Sequence, residues 1–335
     1  MTDSSNTISV ARNAATNHTR SQFVIAAIVV LVGFAVPYMG FSRSFLSLLT
    51  SATATALLAT GVGFLVRNAG FSSFGHAAYF GGAAYFVVLL SVYTGLPGET
   101  IVLLAPVIAT AAAFLISFVM LRTEGVAFSM LSLAIAQAMF ELMMRWREIA
   151  NGEDGLAMKL PREIFGTSLM FFQRPGTMFL LSWSILIITL VLLTVLARSK
   201  FGTLSLAIKN NEERVRFIGY RTLIPRAIVI AISAGIAALG GTLFALYNGY
   251  VTPGILHWSL SGEALIIAII GGTRSIWGPA VGAFVFVILR DFVGDYTTHW
   301  QSIVGLVLIA VVLLLPSGLS GLFNRIIDRV FGRSK

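Results

Sequence analysis

The side chains that could do chemistry are few and scattered. Histidine stands only at positions 18, 76, 257 and 299, and cysteine is absent. No second His or Cys lies near His76, so a metal set is not indicated and thiolate ligation is excluded. A hydrolase needs a convergent set of His, Asp, Glu or Ser, and no motif surrounds any of the four histidines. A phosphate-binding loop needs Gly-Lys. The four lysines at 159, 200, 209 and 335 follow Met158, Ser199, Ile208 and Ser334. Nothing here points to nucleotide hydrolysis or metal chemistry.

What remains is polarity set in apolar surroundings. The segment Asn68 to Ala83 is rich in Gly and Ser, and glycine costs a helix about 1 kcal/mol against alanine. Irregular backbone at membrane depth is tolerated only when buried in protein or lining a cavity. Ser72, Ser73 and His76 are therefore either hydrogen-bonded structure or residues beside a solute path. Gly81, Gly82 and Ala83 read as close helix packing. Gly271-Gly272-Thr273-Arg274-Ser275-Ile276-Trp277-Gly278-Pro279 lies between two apolar pieces, 264–272 and 279–289, each too short to span alone. That is the pattern of a re-entrant or discontinuous helix, with Pro279 in a first turn. Charges inside apolar runs are Glu141, Glu263, Arg290 and Asp291. Each is a site hypothesis by default. Glu141 has Arg145 at i+4 and is expected to pair with it. Arg290 and Asp291 stand at a segment end and are expected to be solvated. Glu263 begins a short segment and is the least explained of the four.

A third stretch, Ser199 to Thr222, is polar with a stripe of Leu204, Ile208, Val215 and Ile218, interrupted by Asn211. Asn210 could cap a second short helix, with Glu213 completing a capping box. Glu212 and Glu213 in its first turn and Arg216 in its last suit the helix dipole. Gly219 is placed to end it. Two short amphipathic helices result, their stripe expected to dock a soluble partner. The competing reading is a pair resting on lipid headgroups, which the acidic residues disfavour.

The elements that position these residues follow from composition. Of 335 residues 57% are hydrophobic and 11% charged, against about a quarter charged in soluble domains. Apolar runs fall at 23–39, 45–66, 77–93, 100–121, 125–144, 177–197, 227–250, 264–272, 279–289 and 302–316. Each is a candidate crossing of a bilayer core needing roughly 20 residues. The fold expected is all-α and polytopic, with about ten membrane segments including interrupted ones. Five and five segments suggest an inverted repeat, faintly supported by Gly75-His76-Ala77 with Gly82-Ala83 against Gly278-Pro279-Ala280 with Gly282-Ala283. Alternate linkers hold 16 and 7 basic residues. The richer set marks the cytoplasmic side, which places the 1–22 tail, the 198–226 loop and the 317–335 tail inside, and the 145–176 loop outside. The net charge of +9 is thereby assigned to orientation rather than to nucleic acid. The partner read directly from composition is a lipid bilayer.

Gly70 to Gly82, Asn151-Gly152-Glu153-Asp154-Gly155-Leu156, Phe201-Gly202 through Gly219, and Gly271-Gly272 through Gly282-Ala283 together resemble the branched-chain amino-acid ABC-transporter permease family. That family includes permeases for urea and short amides. The Asn-Gly-Glu-Asp-Gly loop resembles that of one of its two subunit types. The resemblance implies a related permease as partner, two cytoplasmic ATP-binding subunits that hydrolyse the ATP, and a periplasmic solute-binding protein. No cofactor is expected in this chain. It also implies that 201–219 holds the coupling helix, with Gly202, Leu204, Ile208, Asn211, Glu212, Glu213, Val215 and Gly219 as its candidate residues. Candidates on the translocation path are Ser72, Ser73, His76, Glu263, Gly271 and Gly272. The solute expected is a branched-chain or other hydrophobic amino acid crossing a bacterial inner membrane. Urea, amides and aromatic acids are alternatives within the class, and an ion-coupled carrier using Glu263 or Glu141 is one outside it.

Overall fold

The computed structural model describes residues 27–159, 163–297, 299–315 and 318–330. The expected 1–22 tail lies outside them. Ten apolar helices follow the ten runs: α1 (Ala27–Tyr38), α2 (Arg43–Ala69), α3 (His76–Tyr93), α4 (Gly98–Met120), α5 (Gly125–Arg145), α8 (Pro175–Arg198), α11 (Leu223–Asn248), α12 (Trp258–Gly271), α13 (Gly278–Tyr296) and α14 (Trp300–Leu314). Between them lie α6 (Arg147–Ala150), α7 (Leu169–Gln173), α9 (Lys200–Asn210) and α10 (Glu212–Phe217), with α15 (Gly318–Val330) at the end. Among the described residues six helices, α2, α3, α4, α5, α8 and α11, are long and apolar enough to cross a membrane. The chain is an all-α polytopic membrane protein.

Local chemistry sets the ends of the long helices. Ser42 caps α2, accepting from the Phe45 N–H at 3.2 Å, and Gly70 closes it at φ +75°. Gly249 closes α11 in the same way at φ +65°. These two helices form the centre. The most apolar stretch of α2 is 83% buried and that of α11 72%, against 22% for α4 and α5. The outer helices therefore keep apolar faces free for lipid or another subunit. The central pair touches backbone to backbone: a Cβ on Gly61 would stand 2.6 Å from the Ser233 carbonyl. Close approach through small residues is how helices associate where lipid is as apolar as leucine.

The pairings come in two matching sets. Helix α4 packs on α11 as α13 packs on α2, and α3 packs on α11 as α12 packs on α2. This exchange relates segments two to four to segments seven to nine, as an internal repeat requires. It corrects the sequence correspondence, because the Gly278 motif opens the counterpart of α4, whereas Gly75-His76 opens α3. The two motifs look alike because each starts a helix after a sharp turn.

The linkers gather at the two ends of α11. At its start lie α9 and α10. At its end, β1 (Leu156–Ala157) pairs antiparallel with β4 (Tyr250–Val251), beside the hairpin of β2 (Glu163–Ile164) and β3 (Thr167–Ser168). Asn151, Gly152 and Gly155 are all left-handed, and the Asn151 amide bonds the Gly155 carbonyl at 3.0 Å. The Tyr250 hydroxyl donates to the Asp154 carbonyl. Twenty-six residues of α11 hold these ends about 39 Å apart. The terminal 317–335 stretch, expected only as a tail, contains α15, whose Phe323 meets Trp277 edge to face.

Candidate functional site

Helix α3 starts inside the protein. Residues 70–75 run in from the end of α2 as irregular chain, with Phe71, Ser73 and Gly75 buried. Backbone without helical partners must find others when water is excluded. The Ser132 hydroxyl of α5 takes the Phe74 N–H at 2.9 Å. Ser73 takes the Gly75 N–H at 3.1 Å, and Ser261 of α12 takes the Ala77 N–H at 2.7 Å. Phe71 stacks on Phe128, centroids 4.2 Å apart.

His76 completes this hub. Its Nε2 lies 2.6 Å from the Ser233 hydroxyl, which donates to the Gly61 carbonyl at 2.7 Å. With that proton committed, Ser233 accepts, so Nε2 carries the hydrogen. His76 and Ser73 are both 1% exposed, and the buried His76 Nδ1 has no hydrogen-bond partner among the described residues. Ser72 is exposed, and its carbonyl accepts from Ser129 at 2.6 Å.

The other path candidates lie elsewhere. Glu263 accepts from Arg290 at 3.1 Å, which corrects the expectation that Arg290 is merely solvated. Partners 27 positions apart on neighbouring helices are invisible to helical spacing rules. Glu141 pairs with Arg145 at 3.3 Å as expected. Gly271 lies against the Gly278 backbone, and Gly272, at φ +98°, lies against Gly318. These glycines serve close packing of the turn between α12 and α13. The six candidates thus fall into three places. Ser132, Ser233 and Ser261, which carry the hub, gave no sequence signal, because a single serine in an apolar helix is commonplace. Among the described residues no cluster of His, Asp and Glu could hold a metal.

The loop of α9 and α10, which docks on the same end of α2, is built differently. Ser199 caps α9 through the Gly202 N–H at 3.3 Å. Gly202, Ser205 and Ile208 face inward, against α2, α8 and α11. The Lys209 ammonium donates to the last carbonyls of α2, Val66 and Arg67, at 3.0 Å each. Asn211, and not Asn210, caps α10, accepting from the Arg214 N–H at 2.8 Å. That register puts Glu213 one position short of a capping box. Glu212 turns inward instead. It accepts from Arg216 at 2.6 Å, from Thr222 at 2.7 Å and from Arg226. Burial works against its carboxylate. The Thr222 hydrogen bond and the Arg226 and Arg216 charges outweigh that and hold its pKa below the ordinary range. Gly219 ends the unit at φ +92° with open space around it, so its requirement is conformational.

The expected stripe does not face outward. Ile208 and Val215 are buried in the protein's own body, while Ile218 is 70% and Phe217 90% exposed. Leu204 is half-buried and Glu213 exposed. The exposed apolar surface is Phe217, Ile218, Tyr220, Leu223 and Ile224. A helix must bury one face to stay folded, and here the periodic face does so at home.

The branched-chain amino acid transport system / permease component family matches residues 44–315. The high-affinity branched-chain amino acid transport system permease protein LivM of Salmonella typhimurium is 24% identical over 317 residues, covering 89% of this chain and 74% of that protein. The Escherichia coli K12 LivM is 25% identical over 320 residues, with the same coverage. The LivH permease of E. coli K12 is 25% identical over 223 residues, 65% of this chain and 72% of that protein. The autoinducer 2 import system permease protein LsrC of Salmonella paratyphi B is 29% identical over 147 residues, 40% of this chain and 41% of that one. No solved structure matches. A match running from the second residue of α2 to just beyond the last of α14 leaves one conclusion: the chain belongs to the branched-chain amino acid transport permease family.

Proposed function

We propose that this chain is a membrane-spanning subunit of an ATP-driven importer in a bacterial inner membrane, and that it carries branched-chain or other hydrophobic amino acids. It works beside a second permease of the LivH kind, two ATP-binding subunits and a periplasmic solute-binding protein. The observation that carries this reading is the α9–α10 unit. It is fastened to the membrane helices by Lys209, Glu212 and Arg226, yet presents Phe217, Ile218 and Tyr220 outward. The linker stretch that holds it, 198–226, carries seven basic residues, the mark of the cytoplasmic side. An apolar patch rimmed by polar groups suits a protein interface, and an ATPase is the partner that an energised permease needs there.

An ion-coupled carrier needs a carboxylate free to take up the ion. Glu263 is engaged by Arg290 and Glu141 by Arg145. The deciding experiment reconstitutes this chain with its co-encoded subunits in proteoliposomes. Leucine uptake that needs ATP and the loaded binding protein supports the reading. Sustained uptake by this chain alone under a sodium or proton gradient overturns it. Phe217→Asp with Ile218→Asp should abolish solute-stimulated ATP hydrolysis while the permease pair still assembles.

A further inference from the structure

A cavity of about 290 Å³ lies between the end of α2, the turn from α4 to α5 and the inner side of α9 and α10. Its wall includes Asn68, Glu124, Lys209, Glu212 and Arg226. Two carboxylates face two cations, so the lining is balanced. A nucleotide or phosphate would meet the carboxylates, and a polyamine would meet Lys209 and Arg226. The molecule that fits is neutral overall and carries both charges.

Three wall groups have capacity left. Asn68 is 2% exposed, and both atoms of its amide lack a partner. Buried polar groups are nearly always satisfied, and an orphan points to a missing ligand, ion or water. The Lys209 ammonium has three N–H donors and spends two on Val66 and Arg67. Glu124 is 78% exposed, and its one ion-pair contact, to Arg226, is long at 3.9 Å.

We infer that this cavity binds a free zwitterionic amino acid, its ammonium at Glu124 and its carboxylate between Lys209 and the Asn68 amide. Bound there, the ligand ties the α4–α5 turn to α9 and restrains the loop that the proposed ATPase contact moves. The site is then a sensor of imported solute, distinct from the path. This inference rests on the amino-acid reading above.

The test uses the assembled permease and ATPase complex in nanodiscs, without binding protein, and leucine as the probe. Leucine should bind by calorimetry and lower basal ATP hydrolysis several-fold. N-acetylleucine, which lacks the ammonium, and urea should do neither. Glu124→Gln should weaken leucine binding by about tenfold, the loss of one charge-assisted contact. Asn68→Leu, which fills the wall with an apolar branch, should abolish it, and both variants should still import through loaded binding protein. Heat and inhibition unchanged in both variants place leucine elsewhere and overturn the site. No response of the unaltered complex leaves the cavity to water and also overturns it. Leucine uptake without this response sinks the sensor alone, whereas the response in a complex that imports no amino acid sinks the transport reading alone.

Discussion

Two interruptions of regular structure, residues 70–75 before α3 and 272–277 before α13, look alike in composition and are held by opposite means. The first is held by hydrogen bonds. Hydroxyls of Ser73, Ser132 and Ser261 take its backbone donors, and His76 ties it to α2 and α11 through Ser233. The second is held by close approach. Gly271 and Gly278 meet backbone to backbone, and Pro279 is seated against Gly63. Its side-chain hydrogen bonds, from Ser275 to the Gly272 carbonyl at 3.3 Å and from the Gly278 N–H to Ser275 at 3.1 Å, lie within the turn itself. A glycine-rich break can therefore be a polar joint or a steric one.

The sharpest way to break this contrast is Gly271→Val. Its Cβ falls on the Gly278 carbonyl, a backbone group that no rotamer change moves. Assembled complex should fall below detection in membrane extracts, and a normal yield would show that the second joint tolerates expansion. At the first joint the effects are graded. Ser261→Ala should cost about 1–3 kcal/mol, the cost of an unpaired buried donor, while the complex still assembles. A lowered melting temperature with normal size-exclusion behaviour is the expected result. If it proves as damaging as Gly271→Val, the two joints do not differ in kind.

The α9–α10 loop gives a third kind of joint, held by charge, and it alone should respond to pH. The Glu212 carboxylate is depressed in the folded state. Its stabilising contribution is therefore complete above the ordinary carboxylate range and is lost as pH falls through the depressed value. Amide-exchange protection factors in 201–222, taken relative to the intrinsic rate at each pH, should fall on acidification in that window, and Glu212→Gln should remove the dependence. The smallest structural effect belongs to Glu213→Lys, at an exposed position with open surroundings. Melting should be unchanged while solute-stimulated ATP hydrolysis falls. If stimulation stays normal, Glu213 lies outside the docking surface.

Much of this architecture is legible in the sequence, because the bilayer enforces length and apolarity. The run from 177 to 197 grew by three residues in all to become α8, with Pro175 opening it. That Ile208 and Val215 of the α9–α10 stripe turn inward was not legible. Periodicity identifies one face of a helix without saying whether that face meets its own chain or another. The pairing of Glu263 with Arg290 depends on which helices become neighbours, which local spacing does not carry. The hub failed to show for a related reason. Its histidine stood out, but the three serines that define its role look ordinary until the chain is folded.

Helix α11 has a consequence in mechanics. Near its foot Arg226 joins the Glu212 cluster, and just past its head β4 is laced to the 145–176 loop. A stiff rod gripped at both ends behaves as a lever. A tilt of about 5° over its roughly 39 Å displaces the far end by about 3 Å, on the order of a water diameter. A small push at the foot would therefore arrive at the head as a gap wide enough to change what passes.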